Sequence, residues 1–105
     1  MLHQNLAINE KGHLTFAGLD TVELAEKFGT PLYLLDVDRV RNNCRTYIEA
    51  MRKYFGGTSG PLLASKALSF KGIYRIAAEE GLRTDLVSAG ELYTAKMAGF
   101  PLENA

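Results

Sequence analysis

The spacing of apolar residues changes several times along this chain, and each change marks an element. Leu6 and Ile8, then Leu14 and Phe16, alternate with polar neighbours around Asn9-Glu10-Lys11-Gly12. That pattern predicts a short β-hairpin over residues 6–16. Asp20, with Glu23 three residues on, has the form of a capping box, and Gly29 is a natural helix stop. Between them Val22, Leu24, Ala25 and Phe28 give a short helix its apolar side. Thr30-Pro31 introduces an apolar run, Leu32-Tyr33-Leu34-Leu35, predicted as a strand ending at Asp36. Val37, Val40, Cys44, Tyr47, Ile48, Met51, Tyr54 and Phe55 then recur at helical spacing. Asp36 or Asp38 can cap this helix, Gly56-Gly57 ends it, and its aromatics Tyr47, Tyr54 and Phe55 are expected in the core.

After a loop over 56–60 the pattern becomes rhythmic. It predicts a strand over 62–67, a helix over 70–80 closed by Gly81, a strand over 84–87, and a helix over 91–98 closed by Gly99. The strands are short and almost wholly apolar, as strands covered on both faces are. Strand and helix alternating through short loops means parallel βα units with right-handed crossovers. Residues 100–105 read as a loop before a further strand. Two such units leave a parallel sheet unfinished, and a closed (β/α)₈ barrel takes roughly 250 residues. The expected fold is therefore α/β, the start of a (β/α)₈ TIM-like barrel that is incomplete in this chain. Residues 1–36 would form an N-terminal hairpin, a short helix and the first strand. Residues 37–105 would form the first helix and two βα units. An unpaired sheet edge would favour self-association.

Charge changes this picture little. Twelve basic residues balance twelve acidic ones, so no basic excess points to nucleic acid. Arg39, Arg41, Arg45, Arg52 and Lys53 are spread along one helix and read as its solvated side. One cysteine, Cys44, excludes an internal disulfide framework, fits a reducing compartment and reads as a small core residue. No apolar run approaches the roughly 18 residues of a membrane span. Met1-Leu2-His3-Gln4-Asn5 lacks the basic and apolar regions of a signal peptide, so cytoplasmic location is expected. His3 and His13 have no metal-like neighbours, and no metal site is expected.

The candidate chemistry centres on Lys66, in the run Pro61-Leu62-Leu63-Ala64-Ser65-Lys66-Ala67. Burial at the end of a strand would favour the neutral amine, which Schiff-base chemistry needs. Alternation puts Leu62, Ala64 and Lys66 on one face, with Lys66 at the carboxyl end, where barrel enzymes hold their active sites. Ala64 is small and leaves room beside it. Asp85, at the start of the next apolar stretch, would need a partner if buried. Ser88-Ala89-Gly90-Glu91 forms a second strand-to-helix turn, whose helix start can accept an anion. Each residue also has a plainer reading. Lys66 can snorkel to water, and Asp85 can serve a backbone amide. Ser88 can be an N-cap, Glu91 a first-turn helix acid, and Lys71 part of a solvated face.

Three stretches together are more specific than their members. They are Phe28-Gly29-Thr30-Pro31-Leu32-Tyr33-Leu34-Leu35-Asp36, Leu63-Ala64-Ser65-Lys66-Ala67, and Thr84-Asp85-Leu86-Val87-Ser88-Ala89-Gly90-Glu91-Leu92-Tyr93. In order and spacing the chain resembles the diaminopimelate decarboxylases, in the alanine-racemase-like, fold-type III class of pyridoxal-phosphate enzymes. The resemblance runs from about residue 20 to Ala105 and suggests an N-terminal fragment. It implies that catalytic Lys66 carries pyridoxal 5'-phosphate, with Ala64 and Asp85 near the cofactor. It implies decarboxylation of a small amino-acid substrate, meso-2,6-diaminopimelate, to L-lysine. It also implies that the ring-nitrogen acid and the phosphate donors come from later strands and glycine-rich loops, and that a second β domain and a homodimer partner complete the site. These 105 residues alone would then have little or no decarboxylase activity. The chain departs from the family where Leu63 replaces a frequent Tyr, Leu68 a frequent Asn and Ala89 a common Gly. Ornithine or arginine decarboxylases, amino-acid racemases, a non-catalytic cofactor-binding module and a purely structural domain are the alternatives.

Overall fold

A computed structural model describes residues 3–105. The chain divides into two compact units, residues 1–36 and 37–105. The first opens on β1 (Leu6–Ile8) and β2 (Leu14–Phe16), antiparallel with Leu6 opposite Phe16 and Ile8 opposite Leu14. Asn9 closes their turn, its Oδ1 accepting from the amides of Lys11 and His13 at 3.0 Å each. A third strand, β3 (Leu19–Asp20), pairs with β2 and was not expected from the sequence. Its connection is the two-residue turn Ala17-Gly18, with φ of 51° and 83°. Positive φ at both central positions is what a tight hairpin turn of the primed type requires.

Asp20 joins this sheet to α1 (Thr21–Phe28). Its Oδ1 accepts from the amides of Val22 and Glu23, while its Oδ2 takes Asn9 Nδ2 and His13 Nδ1 at 2.9 Å each. The capping expectation holds for Asp20. The Glu23 carboxylate instead takes Lys11 Nζ at 3.2 Å. Desolvation pushes the Asp20 carboxyl up, and its bonds from His13, Asn9 and the two amides outweigh that, holding it at about 2. A depressed carboxyl stabilises the fold fully above its unfolded value near 3.9, and that contribution fades as pH falls through about 2. The Asp20 carboxyl resonance is therefore expected to titrate near pH 2 by NMR. A midpoint near 4 would contradict the network.

The strand expected over residues 32–35 is not formed. The run pairs with no strand among the described residues, and a strand exists only within a ladder. Its apolar side chains stay open to solvent, with Tyr33 99% exposed.

The second unit begins with α2 (Val37–Phe55), then β4 (Leu62–Ala64), α3 (Lys71–Glu80), β5 (Arg83–Asp85) and α4 (Ala89–Met97). β4 and β5 are parallel, with Leu62 opposite Arg83, Leu63 opposite Thr84 and Ala64 opposite Asp85. The βα rhythm expected from the sequence is therefore present, with shorter strands. Gly81 ends α3 at φ 82°, a left-handed geometry that costs glycine nothing, and its amide reaches the Ala77 and Ala78 carbonyls. The core gathers Cys44 from α2, Ile73, Tyr74 and Ala77 from α3, Ala95 from α4, and Leu82 and Phe100. Burial pushes the Cys44 thiol upward, consistent with its expected packing role.

Several expectations need correction here. The sheet is covered on one face only. Thr84 is fully buried and Leu63 partly so, whereas Leu62, Ala64, Arg83 and Asp85 on the other face are exposed. Tyr47, Tyr54 and Phe55 are also exposed, because the apolar stripe of α2 is wider than the core it meets. Arg41 and Arg45 do not belong to a merely solvated face. Arg41 pairs with both Glu79 and Glu80 of α3, and Arg45 forks onto Glu80 at 2.8 and 3.0 Å. Those bonds hold the Glu80 carboxyl below its ordinary value. Residues 100–105 are not a bare loop: Phe100 is core, and Leu102–Asn104 form a 3₁₀ turn.

Candidate active site

β4 stops at Ala64 because the next residue turns inward. Ser65–Ala67 form a 3₁₀ turn, closed by the Leu68 amide on the Ser65 carbonyl at 3.1 Å. Lys66 therefore stands two residues past the carboxyl end of β4, in a turn and not within a strand. Its side chain is exposed, and among the described residues it has neither hydrogen bond nor ion pair. The expectation of a desolvated amine is thus not met by this chain. The reason is the open sheet face, which leaves this end of β4 facing solvent.

Ala64 and Asp85 are cross-strand partners on that open face. Asp85 ends β5 and does not begin an apolar stretch. It is exposed, so its carboxylate is solvated and needs no buried partner. Ser88 caps α4, accepting from the Glu91 amide at 3.1 Å, as its plainer reading expects. Glu91 is more than a first-turn acid. Its Oε2 accepts from the Val87 amide at 2.8 Å. The carboxylate thus folds back onto the turn that leads into α4.

Sequence reasoning passed over Ser65, which is completely buried. Its hydroxyl donates to the Asp85 carbonyl at 2.9 Å and lies 3.4 Å from Glu91 Oε2. A polar residue inside an apolar strand run was the available signal, since a buried hydroxyl needs a partner. On the far side of Lys66, Ser69 shares a 2.9 Å hydrogen bond with the hydroxyl of buried Tyr74. The turn carrying the lysine is thus tied down on both flanks. An apolar groove of about 280 Å³ between α2 and β4, lined by Val40, Tyr47, Leu62 and Ala64 among others, carries no charged side chain.

These features define an α/β protein of parallel βα units, backed by helices on one face, with an amine and a carboxylate where its strands end. No family model matches the chain. Individual proteins do, and they name the resemblance. The chain is similar to the diaminopimelate decarboxylase of Bacillus methanolicus, 47% identical over 100 residues that make up 95% of this chain and 23% of that protein. It is 45% identical to the Bacillus subtilis enzyme over 97% of this chain and 23% of the relative. A crystal structure of the diaminopimelate decarboxylase from M. jannaschii superposes with a TM-score of 0.80 at 37% identity, covering 95% of this chain and 24% of the other. A second, in complex with L-lysine, gives 0.80 at 38% identity over 93% of this chain and 23% of the other. The chain spans less than a quarter of the length of the curated relatives it matches. Among the described residues no helix is long and apolar enough to cross a membrane.

Proposed function

We propose that this chain is the lysine-bearing segment of a pyridoxal-phosphate-dependent diaminopimelate decarboxylase, and that Lys66 holds the cofactor. The observation that carries the reading is similarity to these decarboxylases along nearly the whole chain, in sequence and in fold. The substrate is meso-2,6-diaminopimelate and the products are L-lysine and carbon dioxide. L-lysine is the ligand in one of the similar M. jannaschii structures. When bound, pyridoxal phosphate supplies an electron sink for the charge left as carbon dioxide departs.

Three features of the chain suit it to this cofactor. The Lys66 amine has no competing partner and is open to attack on an aldehyde. Ala64, small and on the open face of the sheet, leaves space for a flat ring. Asp85 beside Ala64 places a carboxylate at that end of the strands. The segment supplies the anchoring amine. Phosphate donors, the acid for the ring nitrogen and the desolvation that neutralises the amine fall to other parts of the enzyme. In this reading β4 and β5 are staves of a (β/α)₈ barrel whose interior is the open sheet face. The N-terminal hairpin packs on a second domain, and the active enzyme is a cytoplasmic homodimer.

Borohydride reduction of the intact protein with pyridoxal phosphate, followed by peptide mapping, tests the assignment. The expected adduct is on Lys66. An adduct on Lys71 or Lys96 in its place overturns it.

A further inference from the structure

We propose that Ser65 and Glu91 act together as positioning residues for the Lys66 amine, a role that rests on the cofactor assignment above. A turn residue with an exposed side chain is held only as well as its backbone is held. Here the backbone is held by its neighbour. Ser65 has no exposed surface, and its single hydroxyl proton lies between two acceptors, the Asp85 carbonyl and Glu91 Oε2. One acceptor sits on the last residue of β5 and the other in the first turn of α4. Glu91 Oε2 also binds the Val87 amide, so one carboxylate oxygen serves the turn after β4 and the turn after β5. Ser88 fixes Glu91 in turn by capping its amide.

This brace joins the two strand ends where the proposed chemistry sits, Ala64-Lys66 on one side and Asp85 on the other. Neither Ser65 nor Glu91 need touch substrate or cofactor. Burial of Ser65 also explains why it points away from the open face while Lys66, next in the chain, is exposed. A carboxylate as the shared acceptor makes the hydrogen bonds charge-assisted and stronger than neutral ones. Loss of either partner should therefore let the Lys66 turn move without unfolding the sheet.

Four forms of the intact protein decide this: wild type, Ser65→Ala, Glu91→Ala and the double variant. Each is reduced with borohydride in the presence of pyridoxal phosphate, and labelling at Lys66 is divided by labelling at Lys71. Each single variant is expected to lower that ratio roughly three- to ten-fold, the worth of one hydrogen bond. The double variant should lose less than the product of the two single losses, because the two residues share one contact. Labelling at Lys71 and the far-UV spectrum should not change. A wild-type ratio in Ser65→Ala, or additive losses in the double variant, overturns the brace. Should Glu91→Ala fail to fold, Ser65→Ala, which removes one oxygen, decides alone. If the wild type shows no preference for Lys66, the cofactor assignment fails. Amide exchange at Leu68 then decides the brace: faster in Ser65→Ala supports it, and unchanged exchange refutes it.

Discussion

Under the proposed assignment, Lys66→Ala is expected to abolish covalent capture of pyridoxal phosphate and to reduce decarboxylation of diaminopimelate by at least about three orders of magnitude in the intact protein. The size follows from the role. Without the amine the aldehyde has no anchor, and product has no residue to displace it. Lys66→Arg separates nucleophile from charge. A guanidinium keeps the positive charge but does not give up its proton near neutral pH, so it cannot replace the amine. Both variants should therefore fail alike. Neither should unfold the protein. Lys66 is exposed and unpartnered, and substitutions at such positions usually shift stability by no more than about 0.5 kcal/mol. The measurement is the absorbance change on adding pyridoxal phosphate, with the thermal midpoint followed in parallel. Retained covalent binding in Lys66→Ala, with an unaltered midpoint, would move the cofactor to another residue.

What the sequence made legible was the repeating unit. β4, α3, β5 and α4 appear in the expected order, and α3 shows the apolar side its spacing predicts, burying Ile73, Tyr74, Ile76 and Ala77. Gly81 and Gly99 mark the helix ends through positive φ, a signal that belongs to the residue itself. The misreadings have one source: properties that depend on a neighbour. Residues 32–35 have the composition of a strand, but strand formation needs a ladder partner. Tyr47, Tyr54 and Phe55 have core spacing, but burial needs an opposing surface. Arg41 and Arg45 look solvated until α3 brings Glu79 and Glu80 to them.

The turn at Ala17-Gly18 was hidden for a different reason. Alanine seldom adopts φ near 51°, so the dipeptide lacks the Asn-Gly signature that announces a two-residue hairpin. β3 therefore went unseen, although Asp20 at its end was recognised as a cap. At the candidate site, Lys66 stood out by type. Ser65 did not, because the importance of a serine lies in what its hydroxyl meets. The alternation argument placed Ala64 correctly on the open face and then ran one turn too far, through a 3₁₀ turn where alternation no longer applies.

Tyr74→Ala is expected to cost the second unit about 3–5 kcal/mol, the range for truncating a buried aromatic. Tyr74 has no exposed surface and is the largest fully buried side chain among the described residues. Its ring meets Phe100 edge-on, with centroids 6.3 Å apart and planes at 71°. The ring therefore links α3 to the segment after α4, and truncation leaves a void between elements separated in sequence. Small domains are stable by only about 0.05–0.15 kcal/mol per residue, so this loss is comparable to the whole stability of the unit. Urea unfolding followed by far-UV CD should show α2, α3 and α4 losing cooperativity together. Tyr74→Phe isolates the hydroxyl. It keeps the packing, breaks the bond to Ser69, and should cost only about 0.5–1.5 kcal/mol. That smaller change has a local consequence, since Ser69 is the second tie on the turn that carries Lys66. Amide exchange at residues 66–69 should quicken in Tyr74→Phe while exchange in α2 stays as it was. A Tyr74→Ala protein that unfolds at the wild-type urea midpoint would show that the core does not rest on this ring.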